Sequence, residues 1–247
     1  VTNNGINGIT INGNNALVLD NIVTNNSAMG ISITGNAVDS GITVSGNTVV
    51  GNGGDGINVI GNAAIITPDN TIHDNGGTGL NVQGDNINLS GFTIYNNGQD
   101  GICVSGNNFS IQGNTANNNG QDGINVSGQN LTISGNTANY NDNNGISVES
   151  DSATVSGNNA IGNSQDGLSV NGSGNSLLGN TVIQNPRNGI TVTGNNATIL
   201  RNIATNNGGT GIFVTTSGAV SGTTLSANTV TWNGQDGIYT AGNNAII

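Results

Sequence analysis

The stretch Gly123–Asp142, which reads GINVSGQNLTISGNTANYND, contains the pattern that decides the fold. Apolar Ile124 and Val126 alternate with polar Asn125 and Ser127, and this period of two is typical of a strand with one buried face. Two further short segments follow in the same stretch, each with an apolar residue between polar ones. Gly and Asn, which favour turns, separate the segments. The stretch therefore predicts three short strands joined by tight turns.

The same pattern recurs along the whole chain. When Gly123 is numbered position 0, the equivalent glycines are residues 8, 30, 56, 79, 101, 123, 145, 167, 189, 211 and 237, and most steps are 22 residues. Position 1 is always Ile or Leu, and position 3 is Ile or Val except at Thr240. One repeat cannot bury its apolar stripe alone, whereas stacked repeats bury a continuous core. The sequence predicts one domain over 1–247, with ten complete coils and a partial coil at each end.

Two columns of asparagine fix the register. Position 13 carries Asn114, Asn136, Asn158, Asn180 and Asn202. Position 18 carries Asn4, Asn26, Asn52, Asn75, Asn97, Asn119, Asn141, Asn163, Asn185, Asn207 and Asn233, once the longer coils are allowed for. A general preference of Asn for turns does not explain the same position in successive coils. Stacked amides can bond to one another, so these columns predict internal Asn ladders.

The repeat GIxVxGxNxTIxGNTAxxNGxD resembles that of right-handed parallel β-helix proteins of the pectate-lyase-like and NosD-like kinds. The resemblance covers the whole chain. It implies an all-β, single-stranded, right-handed parallel β-helix with three strands and about 22 residues per coil. The hand also agrees with the general preference of parallel crossovers. The same scaffold serves lyases, hydrolases, epimerases, tailspikes, adhesins and surface fibres, so the resemblance leaves the function open.

The composition excludes several classes of function. Asn and Gly supply 51 and 42 of the 247 residues, there is no Lys, and the net charge is -11. Two arginines cannot neutralise the phosphates of a nucleic acid, and the same lack of basic residues argues against anionic membranes. No apolar run has the length of a membrane helix. We therefore expect neither nucleic-acid binding nor membrane insertion.

The resemblance implies an Arg or Lys base with calcium-binding acids in lyases, and clustered Asp residues in hydrolases. Arg187 and Arg201 fall at different turns of the coil, so they do not predict one basic site. His73 beside Asp74 is interpreted as a surface turn. Cys103 is expected to be an exposed free thiol of no catalytic role, because no base is placed near it. No catalytic residue is predicted, and whether the protein is an enzyme stays open.

Aspartate recurs directly before the repeat glycine, at Asp55, Asp100, Asp122, Asp166 and Asp236. Asp100 and Asp122 occupy adjacent coils. Their oxygens, with nearby Gln carbonyls, are a candidate Ca²⁺ site, since calcium prefers oxygen ligands. The alternative is that Asp only opens a turn before Gly. No other cofactor is expected.

Aromatic residues converge near the end of the chain. Phe213 and Tyr239 share the outward position 2, and Trp232 lies in the coil between them. They are a candidate surface for ligand binding or association, with packing under the inserted loop Thr215–Gly222 as the alternative. A second insertion falls in Thr34–Gly41. The outward row at position 2 is too irregular for an ice-binding face.

Two functions remain from the sequence. The chain starts and stops in mid-coil without a capping segment, which favours a non-enzymatic structural rod that associates end to end in a fibre, sheath or adhesin stalk. A truncated repeat array explains the same ends. The alternative function is a β-helix that binds or cleaves polysaccharide, as a lyase or glycoside hydrolase. Either function predicts an extracellular or cell-surface location.

Overall fold

A computed structural model shows the parallel β-helix that the sequence predicts. It describes residues 1–36, 39–216, 222–242 and 244–247. Parts of both insertions, namely 37–38 and 217–221, lie outside the described residues. The described residues include no helix that is long and apolar enough to cross a membrane.

The first face of the coil is a continuous parallel sheet. Its strands, in order, are Ile9–Asn12, Ile31–Thr34, Ile57–Ile60, Leu80–Gln83, Ile102–Ser105, Ile124–Ser127, Ile146–Glu149, Leu168–Asn171, Ile190–Thr193, Ile212–Thr215 and Ile238–Ala241. The register pairs equivalent positions of successive coils, as in Ile102 with Ile124. Ile124 is 0% and Val126 1% exposed, whereas Asn125 and Ser127 are half-buried on the outer side. The predicted register is confirmed.

The other two faces are built from shorter strands. The second face contains Leu17–Leu19, Thr43–Ser45, Ile65–Ile66, Asn88–Ser90, Ser110–Gln112, Thr132–Ser134, Thr154–Ser156, Ser176–Leu178, Thr198–Leu200 and Thr224–Ser226. The third face contains Ile22–Thr24, Thr48–Val50, Thr71–His73, Thr93–Tyr95, Thr115–Asn117, Asn159–Ile161, Thr181–Ile183, Ile203–Thr205 and Thr229–Thr231. Bridges from Thr137 to both Thr115 and Asn159 connect the two parts of the third face. Apolar side chains from all three faces form one core.

A residue in the left-handed conformation turns most corners of the coils. In the central coil these residues are Asn130, Gly135 and Tyr140, with φ of 57°, 63° and 57°. Asn and Gly adopt this conformation most easily, which explains why they dominate the turns. We refer to these bends as the first, second and third corners, which follow the first, second and third faces.

The predicted ladder at position 18 is confirmed. Asn119 donates its backbone N–H and its side-chain amide to Oδ1 of Asn141, at 2.9 Å and 3.1 Å. The Asn141 amide also donates to the carbonyl of Ala116 at 3.1 Å. The same links join Asn4 through Asn233. The ladder thus satisfies polar backbone groups inside a dry core.

The ladder at position 13 is confirmed over the predicted residues and extends further on both sides. It continues from Asn202 to Asn228, at 3.1 Å between amide and oxygen. An earlier part links Asn21, Asn47 and Asn70. Phe92 is buried between the two parts and donates its N–H to Oδ1 of Asn114 at 2.9 Å. An apolar ring therefore interrupts the second ladder, because the Phe side chain has no amide that could donate or accept the ladder hydrogen bonds.

The repeat position is glycine because a Cβ atom would not fit there, and not because the backbone needs a positive φ angle. A Cβ on Gly123 would lie 2.6 Å from Nδ2 of Asn141 and 2.7 Å from the carbonyl oxygen of Gly145. Since such distances are shorter than van der Waals contact, a side chain at this position would push the ladder amide aside. The glycine column and the asparagine column at position 18 therefore depend on each other.

Candidate functional site

Side chains directly before the repeat glycine form a third ladder, which contains Asp100, Asp122, Asn144 and Asp166. Asp100 accepts the backbone N–H of Asp122 at 2.9 Å, and Asp122 accepts that of Asn144 at 2.8 Å. The same contact follows from Asn144 to Asp166 and from Asp166 to Asn188. Each of these side chains therefore caps the backbone of the following coil. The alternative stated from the sequence, that Asp only opens a turn before Gly, does not include this hydrogen bond between successive coils.

The second oxygen of these carboxylates contacts the outer side of the first sheet. Asn125 donates its amide to Oδ2 of Asp100 at 3.1 Å. Thr191 donates its hydroxyl to Oδ2 of Asp166 at 2.8 Å. Asp100 and Asp122 are only 6% and 5% exposed. Burial raises the pKa of Asp100, and it raises the pKa of Asp122 to about 6. The row is thus a buried, hydrogen-bonded support for the first sheet.

This geometry bears on the candidate calcium site at Asp100 and Asp122. Calcium takes six to eight oxygen ligands. Both oxygens of Asp100 already accept hydrogen bonds, Oδ1 from the backbone N–H of Asp122 and Oδ2 from the side-chain amide of Asn125. Within the described residues there is no group of three or more His, Cys, Asp or Glu side chains placed to hold a metal. The two carboxylates fit hydrogen bonding better than they fit calcium, and the calcium site stays a prediction.

Cys103 is a free thiol, but the expectation that it is exposed is wrong. It is half-buried in the first sheet, in register with Asn81 and Asn125. Burial, together with the nearby aspartates, raises the pKa of the thiol to about 11. A thiol with a raised pKa is a poor nucleophile at neutral pH, so the expected lack of a catalytic role is consistent with its surroundings.

The structure does not bring the two arginines together. Arg187 is exposed and donates to Oε1 of Gln165 at 3.0 Å. Arg201 occupies the second corner with a φ of 56°, where the preceding coils have Gly157 and Gly179 and the following coil has Ala227. The arginines occupy different corners, as the sequence predicts.

His73 is part of a small cluster on the third face. Its Nδ1 lies 2.7 Å from Oδ2 of Asp74, and its ring stacks on Tyr95 with centroids 4.7 Å apart. The hydrogen bond from His73 lowers the pKa of Asp74. The sequence placed His73 and Asp74 in a turn; the structure puts His73 at the end of a strand and Asp74 at the third corner.

The three aromatic residues of the candidate surface occupy two places. Phe213 and Tyr239 are paired in the first sheet, and their rings stack at 5.0 Å with an interplanar angle of 10°. Tyr239 remains 41% exposed. Trp232 is 85% exposed at the third corner. Phe213 and Tyr239 therefore form a stacked pair, and Trp232 lies apart from it at the third corner.

A surface groove that sequence reasoning missed lies at the first corner. It has a volume of about 460 Å³, and its lining residues are Asn107, Ser127, Gly128, Gln129, Glu149, Ser150, Asp151, Asn171 and Gly172. Two exposed carboxylates, Glu149 and Asp151, lie among amide and hydroxyl groups. Asp151 accepts the N–H of Ser173 at 2.6 Å, which fixes its position.

A sequence signal for this groove does exist. Glu149 is in register with Ser127 and Asn171, and it is the only Glu in the chain. The next two residues, Ser150 and Asp151, replace the Gly and polar residue of the neighbouring coils. Each substitution is ordinary alone, and the three residues are consecutive; that they lie beside Asn107, Gln129 and Asn171 of other coils follows from the three-dimensional register. The groove therefore combines two acids with a polar, uncharged lining suited to hydroxyl-rich ligands.

Comparison with protein families agrees with this architecture. The model described as "Right handed beta helix region" matches residues 38–182 and 170–247. The chain therefore belongs to the right-handed β-helix family, as the repeat predicts. Comparison with the curated proteins found no match.

Several solved structures are similar to this chain. The A-module of the mannuronan C-5 epimerase AlgE4 of Azotobacter vinelandii superposes with a TM-score of 0.62 at 16% identity, covering 92% of this chain and 62% of that one. The A-module of AlgE6 of the same organism gives 0.54 at 21% identity, covering 92% and 59%. The periplasmic alginate epimerase AlgG gives 0.54 at 15% identity, covering 90% and 68%. These similarities establish the fold, and this chain spans about three fifths of the two A-modules.

Proposed function

We propose that the protein binds a neutral polysaccharide in the groove at Glu149 and Asp151. The observation that carries the proposal is the placement of two exposed carboxylates among the amides of Asn107, Gln129 and Asn171 in one open groove. Carboxylates accept hydrogen bonds from sugar hydroxyls, and amides both donate and accept. Similar structures belong to epimerases of mannuronan and of alginate, which supports a polysaccharide as the class of ligand.

The charge of the protein favours a neutral chain over an acidic one. The net charge is -11, and the groove itself contains two acids and no Lys or Arg in its described lining. An acidic polysaccharide would place like charges against the exposed carboxylates of Glu149 and Asp151. A neutral chain avoids that repulsion and retains the hydrogen bonds.

Hydrolysis of the bound chain is a second candidate function. Glycoside hydrolases use a pair of carboxyl groups on either side of the scissile bond, and Glu149 and Asp151 supply two such groups in one groove. Under this candidate, one carboxyl protonates the leaving oxygen and the other activates water or attacks the sugar. Release of reducing ends from the bound polysaccharide distinguishes cleavage from binding alone.

The sequence-based hypothesis of a structural rod with end-to-end association stays a prediction. The structural similarities favour the polysaccharide alternative, and polysaccharide binding agrees with a location outside the cytoplasm. The similar alginate epimerase AlgG is a periplasmic protein, which supports the same location.

The experiment compares binding of soluble glucan, mannan and xylan by calorimetry, with alginate as the acidic polysaccharide. Glu149→Gln and Asp151→Asn are each expected to weaken binding about tenfold, because a charge-assisted hydrogen bond is lost. Asp236→Asn is the matched control, since it removes an exposed carboxylate from the last repeat and should leave affinity unchanged. Unchanged binding in both groove variants would contradict the proposal.

A further inference from the structure

The third corner contains two residues that do not suit its backbone. The non-glycine left-handed residues at this corner are Asn3, Asn25, Asp74, Asn96, Asn118, Tyr140, Gln184, Asn206 and Trp232. Asn tolerates this conformation, whereas a bulky aromatic residue adopts it rarely and at a cost in stability. Tyr140 and Trp232 do so with φ of 57° and 58°. Two coils therefore have a strained aromatic residue where the fold accepts Asn.

Core packing does not account for either residue. Tyr140 is 60% and Trp232 85% exposed. The position of the Tyr140 ring is nevertheless defined, because its Cδ1 and Cε1 occupy space beside Gly162. A Cβ on that glycine would lie 2.8 Å from each of these atoms. The tyrosine ring thus rests on a residue that leaves room for it, while most of its surface stays open to solvent.

Backbone hydrogen bonds align the two aromatic residues along the axis of the helix. At successive third corners Tyr140, Gly162, Gln184 and Asn206 each donate an N–H to the strand residue that precedes the next corner, at 3.0 Å to 3.2 Å. The last of these acceptors, Thr231, precedes Trp232. Four coil steps of roughly 4.8 Å therefore separate the rings, a span of about 19 Å. Gly162, Gln184 and Asn206 lie between them.

We propose that this corner is an accessory track for a neutral polysaccharide, with the chain parallel to the helix axis and its sugar rings stacked on Tyr140 and Trp232. Aromatic rings receive the apolar faces of sugars, and the amides of Gln184 and Asn206 are available for hydroxyl groups. The proposal takes only the class of ligand from the proposed function. The track follows the third face, whereas the groove at Glu149 and Asp151 follows the first face.

The isolation of the rings favours this ligand over a second copy of the chain. Along the corner itself, Gly162, Gln184 and Asn206 separate the two aromatic side chains by about 19 Å. Beside them Ile161 and Ile183 are half-buried and Ile203 is 40% exposed, so the two rings do not belong to one fully exposed apolar patch of the kind that joins proteins. A second copy would also bring another net charge of -11 to the surface. Stacking on single rings needs neither a continuous patch nor opposite charge.

Fluorescence tests the track directly, because Trp232 is the only tryptophan. Cello- and manno-oligosaccharides, from disaccharides upward, are titrated against the full chain while emission and acrylamide quenching are followed. We expect a blue shift and protection from quenching. We also expect affinity to rise steeply once the oligosaccharide spans about 19 Å, since both rings are then engaged by one molecule.

Asparagine is the matched substitution, because other coils have Asn at this corner. Tyr140→Asn should weaken binding of long oligosaccharides about two- to tenfold, with binding still read from Trp232. Trp232→Asn, measured by calorimetry, should do the same. Asn118→Gln, at the same corner outside the track, is the control and should not change affinity.

The outcomes separate this proposal from the proposed function. Loss of binding in the corner variants but not in Glu149→Gln supports the track even if the groove fails. An absence of any emission change with both oligosaccharide series overturns the track, and so does an affinity independent of oligosaccharide length. A concentration-dependent emission shift without sugar, with dimers in light scattering, would replace the track by an interface between copies.

Discussion

Asn141 donates both its backbone N–H and its side-chain amide to Oδ1 of Asn163, at 3.0 Å and 2.9 Å. Both residues are fully buried. One oxygen therefore satisfies two donors of the preceding coil in a core without solvent. Because the donors of each coil depend on the oxygen of the next coil, the ladder at position 18 is a main determinant of stability.

Removal of one ladder residue should affect its neighbour as well. Asn141→Ala leaves the N–H and amide of Asn119 without their acceptor. We expect a loss of about 3 kcal/mol in the free energy of unfolding, because buried donors are then unsatisfied. Denaturant unfolding measures this change. Asn88→Ala, at an exposed strand position, is the control; equal losses in the two variants would show that the ladder has no special role.

The repeat glycine should not tolerate a methyl group. A Cβ at residue 123 would be 2.6 Å from the ladder amide of Asn141, so Gly123→Ala is expected to destabilise the protein by about 1–3 kcal/mol. Gly5→Ala is the matched substitution, since a Cβ there meets nothing within 4 Å. Thermal unfolding compares the two. A Gly123→Ala variant as stable as Gly5→Ala would contradict the spatial explanation of the glycine column.

Asp122 should make the protein more stable at mildly acidic pH. Burial raises its pKa from 3.8 to about 6, so the folded state favours the protonated form. The favourable contribution is complete below pH 3.8 and is lost as the pH rises through about 6. Asp122→Asn keeps an oxygen for the N–H of Asn144 and removes the charge. We expect it to raise the free energy of unfolding at pH 7.5 by up to about 3 kcal/mol.

Measurements at pH 5 and pH 7.5 isolate this effect from other carboxylates. The difference between Asp122→Asn and the parent should be larger at pH 7.5 than at pH 5. Asp69, whose pKa is lowered by hydrogen bonds from Thr67 and Ser45, has the opposite pH dependence and cancels in this comparison. A constant difference across this range would mean that Asp122 does not titrate there.

Arg201 is expected to be less favourable than glycine at the second corner. Equivalent residues Gly113, Gly135 and Gly157 have φ of 60° to 63°, and Arg201 has 56°. Relief of the left-handed strain exceeds the entropy that Gly adds to the unfolded chain, so Arg201→Gly should stabilise by up to about 1 kcal/mol. Arg187→Gly lacks this strain and should not stabilise. Chemical denaturation of both variants tests the prediction; destabilisation by Arg201→Gly would contradict it.

Periodicity made the coil and its core predictable. Ile124, Val126 and the Asn columns repeat at a fixed spacing, and a parallel β-helix is the structure in which that spacing stacks equivalent residues. Phe92 could also have been identified as a break, because it stands at position 13 where later coils have Asn. These features are properties of single columns, which the sequence displays directly.

Contacts between different columns were not predictable in the same way. Cys103 lies near the row of aspartates, whose charges add to the effect of burial in raising the pKa of its thiol, and the distance between the two columns cannot be read from the sequence. The groove needs Glu149 and Asp151 to meet residues of the coils on either side. Tyr140 was visible as an aromatic residue in an Asn column, but its exposure and its packing on Gly162 required the backbone geometry.

A crystal structure of the protein with a bound neutral oligosaccharide tests polysaccharide binding in the groove. We expect sugar density at the first corner, with hydroxyl groups within hydrogen-bond distance of Glu149 and Asp151. Density confined to another face, with the groove unoccupied at a ligand concentration that saturates binding in solution, would contradict it.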